Sequence, residues 1–213
     1  MNTAYPKLES FLKQFKPMLF RRKQEVGRLE TSTNTVFYLN QGYVRLYTLS
    51  QEGNELTLHI FAPSSLFPLW LENNGDFNGY YFESLTPVEV YSCEKNKLYQ
   101  FLTKNPAARS EITQQLTSLS LELMKKLETK IFGDAQKQVI ATILDLAKYF
   151  GKKDKRSIVI SYWFTHRDIA TLAGLSRERV TIEINNLINK KLITYHNRFI
   201  TIPNFELLKK EFL

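Results

Sequence analysis

Cysteine is nearly absent from this chain. The 213 residues hold one, Cys93, so no internal disulfide can form and no cysteine cage can hold zinc or an iron–sulfur cluster. Cys93 reads as a small side chain packed in a strand. Histidine is scarce too. His59, His166 and His196 lie far apart, with neither metal-ligand spacing nor a nucleophile-and-base arrangement around them. No glycine-rich loop stands ready to cradle a phosphate. The sequence therefore offers no catalytic residue, no metal site and no cofactor site, and an enzyme is not expected. No apolar run approaches the ~20 residues needed to cross a bilayer. The start of the chain lacks a charged segment followed by an apolar one. The expectation is a cytoplasmic protein without a membrane partner.

What is present is positive charge, +8 overall and unevenly spread. Residues 1–133 hold 15 Lys and Arg against 13 Asp and Glu, a surplus of 2, whereas residues 134–213 hold 14 against 8, a surplus of 6. Phosphate attraction supplies the sequence-independent part of DNA affinity, so a basic C-terminal part suits a DNA-binding domain.

Residues 165–187 carry the strongest local pattern, two short helices around a tight turn. Thr165 can cap the first helix, with Asp168 reaching back to the cap's own amide. Ile169, Ala170 and Ala173 give that helix a narrow apolar face. Gly174 stands where the chain must turn through positive φ. Ser176 caps the second helix, and Val180, Ile184 and Leu187 form one inward stripe. This pattern is that of a helix-turn-helix, whose second helix enters the DNA major groove. Two packed helices in an ordinary core share part of it. Asn189-Lys190-Lys191 then ends the second helix with cations near its negative pole. Leu192–Tyr195 and Phe199–Ile202 are β-prone, and His196-Asn197-Arg198 joins them as a hairpin tip. That is a wing, which brings Arg198 beside the phosphate backbone.

Earlier in the chain, residues 6–16 suggest a short helix with Leu8, Phe11, Leu12 and Phe15 on one side, and Arg21-Arg22-Lys23 a solvated turn. Strands are expected at Val36–Leu39, Tyr43–Leu49, Leu56–Phe61, Phe82–Leu85 and Val88–Cys93, and a short helix at Lys95–Leu102. Residues 66–81 read as irregular, with a turn at Asn73-Asn74-Gly75-Asp76. These parts make a small antiparallel β domain, a barrel or roll.

Asn105-Pro106 starts a long helix, cap then proline, that runs to about Ile131. Ile112, Leu116, Leu119, Leu123 and Leu127 make one apolar seam, which reads as a two-stranded dimer interface or as packing on the chain's own β domain. Gly133 is a hinge and Asp134 the next cap. A helix follows over Gln136–Phe150, then an exposed basic loop over Gly151–Arg156, a strand over Ile158–Trp163 and, after the wing, a closing helix within Pro203–Phe212.

In this order the parts resemble the Crp/Fnr family of bacterial transcription regulators over nearly the whole chain. Leu175-Ser176-Arg177-Glu178-Arg179-Val180 is similar to the family's Ser-Arg-Glu-x-Val recognition-helix start. Tyr38-Leu39-x-x-Gly42-x-Val44-Arg45-Leu46 and Glu52-Gly53-Asn54-Glu55-Leu56 match its β domain. The resemblance implies an α+β fold: an N-terminal antiparallel β-roll like a cyclic-nucleotide-binding domain over 1–104, a central dimerisation helix over 105–132, and a C-terminal winged helix-turn-helix over 133–213. It implies a sequence-specific, homodimeric transcription regulator, with double-stranded DNA and RNA polymerase as partners.

The departures narrow that reading. Cyclic-nucleotide-binding members hold the ligand phosphate with a Gly-Glu pair and an Arg-Ser or Arg-Thr pair. Phe67-Pro68 and Asn78-Gly79 align there, so the cation is missing and cyclic-nucleotide binding is not expected. Haem would need an axial ligand, for which His59 and Cys93 are the β-domain candidates. Phe67, Leu69, Trp70, Tyr80, Tyr81 and Phe82 could line an apolar effector pocket or fill the roll. A regulator without a small-molecule ligand, controlled by abundance or a protein partner, is the alternative. On the second helix of the motif, the family's frequent second arginine is replaced by Ile182, which faces the groove with Glu178 and Asn185, flanked by Arg179 and Thr181. Ile182 suits a thymine methyl, Glu178 a cytosine amino group and Arg177 a guanine. Thr165 and Ser176 suit phosphates.

Overall fold

The structure, a computed structural model, describes residues 5–28, 34–68, 79–154 and 157–212. They divide into two compact units, one of residues 1–53 and 57–123, the other of residues 54–56 and 124–213.

In the first unit, two four-stranded antiparallel sheets enclose an apolar interior. One sheet is ordered β1 (Pro17–Phe20), β8 (Val88–Glu94), β3 (Thr35–Gln41), β6 (Leu66–Phe67). The other is ordered β2 (Glu25–Arg28), β7 (Tyr80–Ser84), β4 (Val44–Leu49), β5 (Glu55–Phe61). Strand β3 shows why its sequence is continuously apolar. Successive side chains alternate across a strand. Phe37 and Leu39 point into the roll, against Leu46, Phe61, Phe67 and Phe82. Val36 and Tyr38 point the other way, into a layer filled from three helices. These are α1 (Pro6–Leu12), α2 (Lys95–Lys104) and the first part of α3 (Pro106–Phe132). Gly42, at φ +88°, turns the chain between β3 and β4, and a Cβ there would lie 2.3 Å from the Pro87 carbonyl oxygen. No other residue fits that corner.

Two long-range contacts tie α3 to this unit. Glu111 accepts hydrogen bonds from the backbone N–H groups of Lys7 and Leu8, at 3.1 and 2.9 Å, and so caps α1, whose own cap position has no side-chain bond. The buried amide of Gln115 meets both the N–H and the carbonyl of Leu66, at 3.2 and 3.1 Å, along β6.

The apolar seam expected along α3 is divided. Ile112 and Leu119 are buried with Ala108 on the chain's own β domain. Leu116, Leu123 and Leu127 stay 38%, 40% and 60% exposed, and Met124, Ile131 and Phe132 join them on the surface. The start of α3 also differs from expectation. The Asn105 side chain donates back to the Phe101 carbonyl at 2.8 Å, closing α2 rather than capping α3.

The second unit is built around α4 (Ala135–Phe150), capped by Asp134, whose carboxylate accepts from Lys137 N at 2.9 Å. Val139, Ile140, Ile143 and Leu146 are buried on it, and α5 (His166–Ala173), α6 (Arg177–Asn189) and α7 (Phe205–Phe212) pack around it. A third antiparallel sheet is ordered β11 (Thr194–His196), β12 (Phe199–Ile202), β10 (Ser157–Ile160), β9 (Gly151–Asp154).

Elsewhere the expected elements shift at their ends, and four strands were not expected, one of them β6, which lies in the stretch that reads as irregular and pairs with β3. β1 and β2 flank the basic turn at residues 21–23, and they pair with β8 and β7. β9 takes the first four residues of what read as a basic loop, because Lys152 and Lys153 pair opposite Val159 and Ile158. Residues 155 and 156 of that loop lie outside the described residues, as do Asn73-Asn74-Gly75-Asp76.

Candidate nucleic-acid interface

The motif closes as its local chemistry dictates. The Thr165 hydroxyl accepts from Asp168 N at 3.1 Å and donates to the Asp168 carboxylate at 2.7 Å, while Thr165 N donates to the same carboxylate at 2.8 Å. This reciprocal box starts α5. Gly174 ends it in the left-handed region, φ +61°. Lys130, from the last turns of α3, donates to the Ala173 carbonyl and to Gln138 Oε1, the latter at 3.0 Å. Burial, with Lys126 nearby, holds the Lys130 ammonium below the ordinary lysine range. Ser176 Oγ accepts from Arg179 N at 3.2 Å and starts α6. Val180, Ile184 and Leu187 are fully buried, and Ile169, Ala170 and Ala173 are buried on α5, which packs against α6.

The opposite side of α6 is open. Arg177, Glu178, Ile182 and Asn185 are exposed, Ile182 by 51%, and Arg179 and Ser176 lie at the edge of the same face. Two residues expected to contact DNA, Thr165 and Thr181, have their hydroxyls engaged within the motif. The Thr165 hydroxyl hydrogen is taken by Asp168, so only Ser176 keeps one free of its cap. Thr181 Oγ1 donates to the Arg177 carbonyl at 2.9 Å and meets His166 Nδ1 at 2.8 Å, which turns it towards α5. Lys190, at the end of α6, bonds Gln136 Oε1 at 3.1 Å and pairs with Glu211.

The wing turns on Asn197 and Arg198, both at positive φ, +50° and +68°. This two-residue turn leaves His196 in β11. Arg198 is exposed, its guanidinium 5.4 Å from the centre of the Trp163 ring, and its carbonyl accepts from Phe164 N at 3.0 Å. Tyr195 OH donates to the Phe164 carbonyl at 2.8 Å. The wing is thereby fastened to the entry of α5.

His166 sits where α5, α6 and the wing meet, its ring 4.8 Å from that of Tyr195. Because the Thr181 hydroxyl hydrogen goes to Arg177, His166 Nδ1 is the donor in their bond, and Nε2 is left as a buried acceptor with no partner among the described residues. Burial, and secondarily the Arg177 charge, hold His166 below its ordinary pKa of about 6.5. The unfolded chain therefore takes up the proton first. Stability from neutral His166 is complete above about pH 6.5 and is lost as pH falls through the lowered folded value. Thermal melting of the full chain from pH 8 to pH 5 should show a steeper decline than that of His166→Gln. Parallel profiles would refute this assignment.

Of the expected effector residues, the described ones divide between the two sides of their sheet. Phe67 and Phe82 are buried inside the roll, ring centres 5.1 Å apart, with Phe61 against both. Tyr80 packs beside them. Tyr81 stacks on Tyr47, 5.1 Å away, on the other side of the sheet. Leu69 and Trp70 lie outside the described residues. His59 and Cys93 stand in different sheets. His59 lies edge-on to Phe61 and 3.5 Å from Glu122. Cys93 is buried in the helix-covered layer, where burial pushes its thiol up to about 11, so it stays protonated and unreactive at neutral pH.

Sequence reasoning missed Glu183, which is 3% exposed on α6. Its carboxylate takes Arg179 Nη2 at 2.8 Å and Asn186 Nδ2 at 3.1 Å. The spacing of Arg179, Glu183 and Asn186 along the helix was the available signal.

Comparison with known proteins agrees with this arrangement. The family model of the Crp-like helix-turn-helix domain matches residues 137–211. A global nitrogen regulator of Nostoc sp. is 27% identical over 195 residues, which cover 91% of this chain and 87% of that one. Among solved structures, a CooA variant from Carboxydothermus hydrogenoformans superposes with a TM-score of 0.81 at 19% identity, covering 100% of this chain and 97% of the other. A CRP/FNR-family transcriptional regulator from Thermus thermophilus gives 0.73 at 21% identity, covering 92% and 98%.

Proposed function

This chain belongs to the Crp/Fnr family of DNA-binding transcription regulators, and on that premise we propose that it acts as a homodimer reading two half-sites of a symmetric duplex. It is a regulator and not an enzyme. The observation that carries the reading is the two-sided character of α6. One side is sealed by Val180, Ile184 and Leu187, and the other presents Arg177, Glu178, Ile182 and Asn185 to solvent. Arg177 donates to guanine, Glu178 accepts from cytosine and Ile182 covers a thymine methyl, with Asn185 beside them. Ser176, Arg179 and Arg198 hold phosphates. Thr165 and Thr181 support the motif from within. The exposed part of the α3 seam (Leu116, Leu123 and Leu127, with Met124 and Ile131) is the dimer contact, while Ile112 and Leu119 anchor the helix in its own protomer. RNA polymerase is the further partner that family membership suggests. No helix among the described residues is long and apolar enough to cross a membrane.

A cyclic nucleotide is not the effector in this reading. Between Arg45 and Lys95 the sequence contains no lysine or arginine, and Arg45 itself is paired with Glu83 at 2.9 Å and bonded to Thr57. A phosphate among these strands would lack a counter-charge.

Selection of bound sequences from random duplexes by the full-length protein tests the proposal. It should enrich a two-fold symmetric site with half-sites about one helical turn, roughly 10 bp, apart. A thymine should stand at the position facing Ile182. A pool without enrichment would overturn the reading.

A further inference from the structure

We propose that Glu183 is a positioning residue for DNA binding, holding Arg179 as a clamp on the phosphate backbone beside α6. The proposal rests on the reading of α6 as the DNA-facing helix. A carboxylate buried on such a helix is a cost twice over, since it forfeits water and repels the polyanion. Here it is compensated within the helix. Arg179 lies one turn before Glu183, and its Nη2 is 2.8 Å from Oε1, while Asn186 Nδ2 holds Oε2 at 3.1 Å. The Glu183 side chain is 4% exposed and that of Arg179 52%. The anion is thus fixed from below, and the cation is fixed with half its surface in solvent.

An arginine loose on a surface must give up rotamer freedom to bind a phosphate. Arg179 has already lost much of it. Among the described residues no second carboxylate takes its remaining N–H groups, so they are available to an incoming oxygen. Its place on the flank of α6, about 60° round the helix from Ile182 and on the side of Glu183, turns it to the wall of a groove rather than its floor. A contact there adds affinity without sequence information.

The sign of one substitution separates this from simple electrostatics. Removing a carboxylate from a DNA-binding helix should tighten binding if charge alone matters. If Glu183 positions Arg179, removing it weakens binding. Fluorescence anisotropy of the full-length protein would be read with a selected duplex and a scrambled one across a salt series. Glu183→Met keeps the buried volume without the tether, and Glu183→Gln keeps an acceptor. We expect Glu183→Met to lose affinity roughly threefold to tenfold, the size of an ordered surface charge contact, equally on both duplexes, and Glu183→Gln to lose less. Arg179→Gln should lower the salt slope by about 0.9 per protomer, ~2 for a dimer. In the Arg179→Gln background, Glu183→Met should no longer weaken binding.

Binding by Glu183→Met as tight as wild type or tighter, or an undiminished effect without Arg179, overturns the proposal. If Glu183→Met does not fold, Glu183→Gln in the two Arg179 backgrounds decides by the same cycle. Wild type that binds neither duplex would defeat the DNA-facing reading of α6 and the clamp with it. Wild type that binds while Glu183→Met matches it defeats the clamp alone.

Discussion

Arg177→Ala combined with Glu178→Ala should erase the difference in affinity between a selected duplex and a scrambled one, while leaving salt-sensitive binding to both. Both side chains are exposed on α6, so the fold loses little, at most the ~0.3–1 kcal/mol that an acidic residue contributes in a helix's first turn. Their contribution is to readout. A good bidentate base contact discriminates by ~1–3 kcal/mol. Two per protomer in a two-fold dimer account for most of the ~4–10 kcal/mol that separates specific from non-specific binding in such proteins. We therefore expect the ratio of the two affinities to fall by about a thousandfold or more in a competition titration. The residual binding should keep a steep salt dependence, because Ser176, Arg179 and Arg198 are untouched. A variant that still prefers the selected duplex by its original ratio would remove Arg177 and Glu178 from the readout.

Leu123→Asp with Leu127→Asp should give a folded monomer. Neither leucine is sealed within the single chain, at 40% and 60% exposed, so the substitution opens no cavity. In a dimer the same positions face their copies, and four leucines are removed at once. Each buried leucine contributes ~1.5–3 kcal/mol when fully covered, and an aspartate held in an apolar seam without a partner costs several kcal/mol more. Association should weaken by at least about a thousandfold, visible as a monomer in sedimentation at concentrations where wild type is dimeric. DNA affinity should fall to that of one half-site, and the salt slope should drop by about half, because phosphate contacts are halved. A variant that remains dimeric would move the interface elsewhere, and a monomeric wild type would remove it.

The helix-turn-helix was legible because everything that defines it lies within a few residues along the chain. Thr165 meets Asp168, Ser176 meets Arg179, and Gly174 adopts positive φ in the turn where a glycine was wanted. The inward stripe follows from helical period alone, and the wing from β-prone runs around Asn197. The same holds for β3, β4, β5 and β8, whose apolar runs survive any context. Short edge strands carry no such signal. β1 and β9 form because β8 and β10 offer backbone partners, and the lysines of β9 would not choose a strand by themselves.

The sequence by itself determined the order of parts, the caps of α4, α5 and α6, the turn glycine and the outward face of α6, because each depends on local backbone preference and side-chain period. Only the tertiary structure decided what required partners far along the chain or a count of what covers each side. Glu111 caps α1 from 103 or 104 residues away, and Gln115 finds Leu66 across 49. The same is true of the division of the α3 seam between Ile112 and Leu119 within and Leu123 and Leu127 without, and of the four phenylalanines filling the roll, Phe37, Phe61, Phe67 and Phe82. Glu183 stands between these cases. Its spacing to Arg179 is local, but its burial is set by the packing around α6, and burial is what turns an ordinary surface pair into a fixed one.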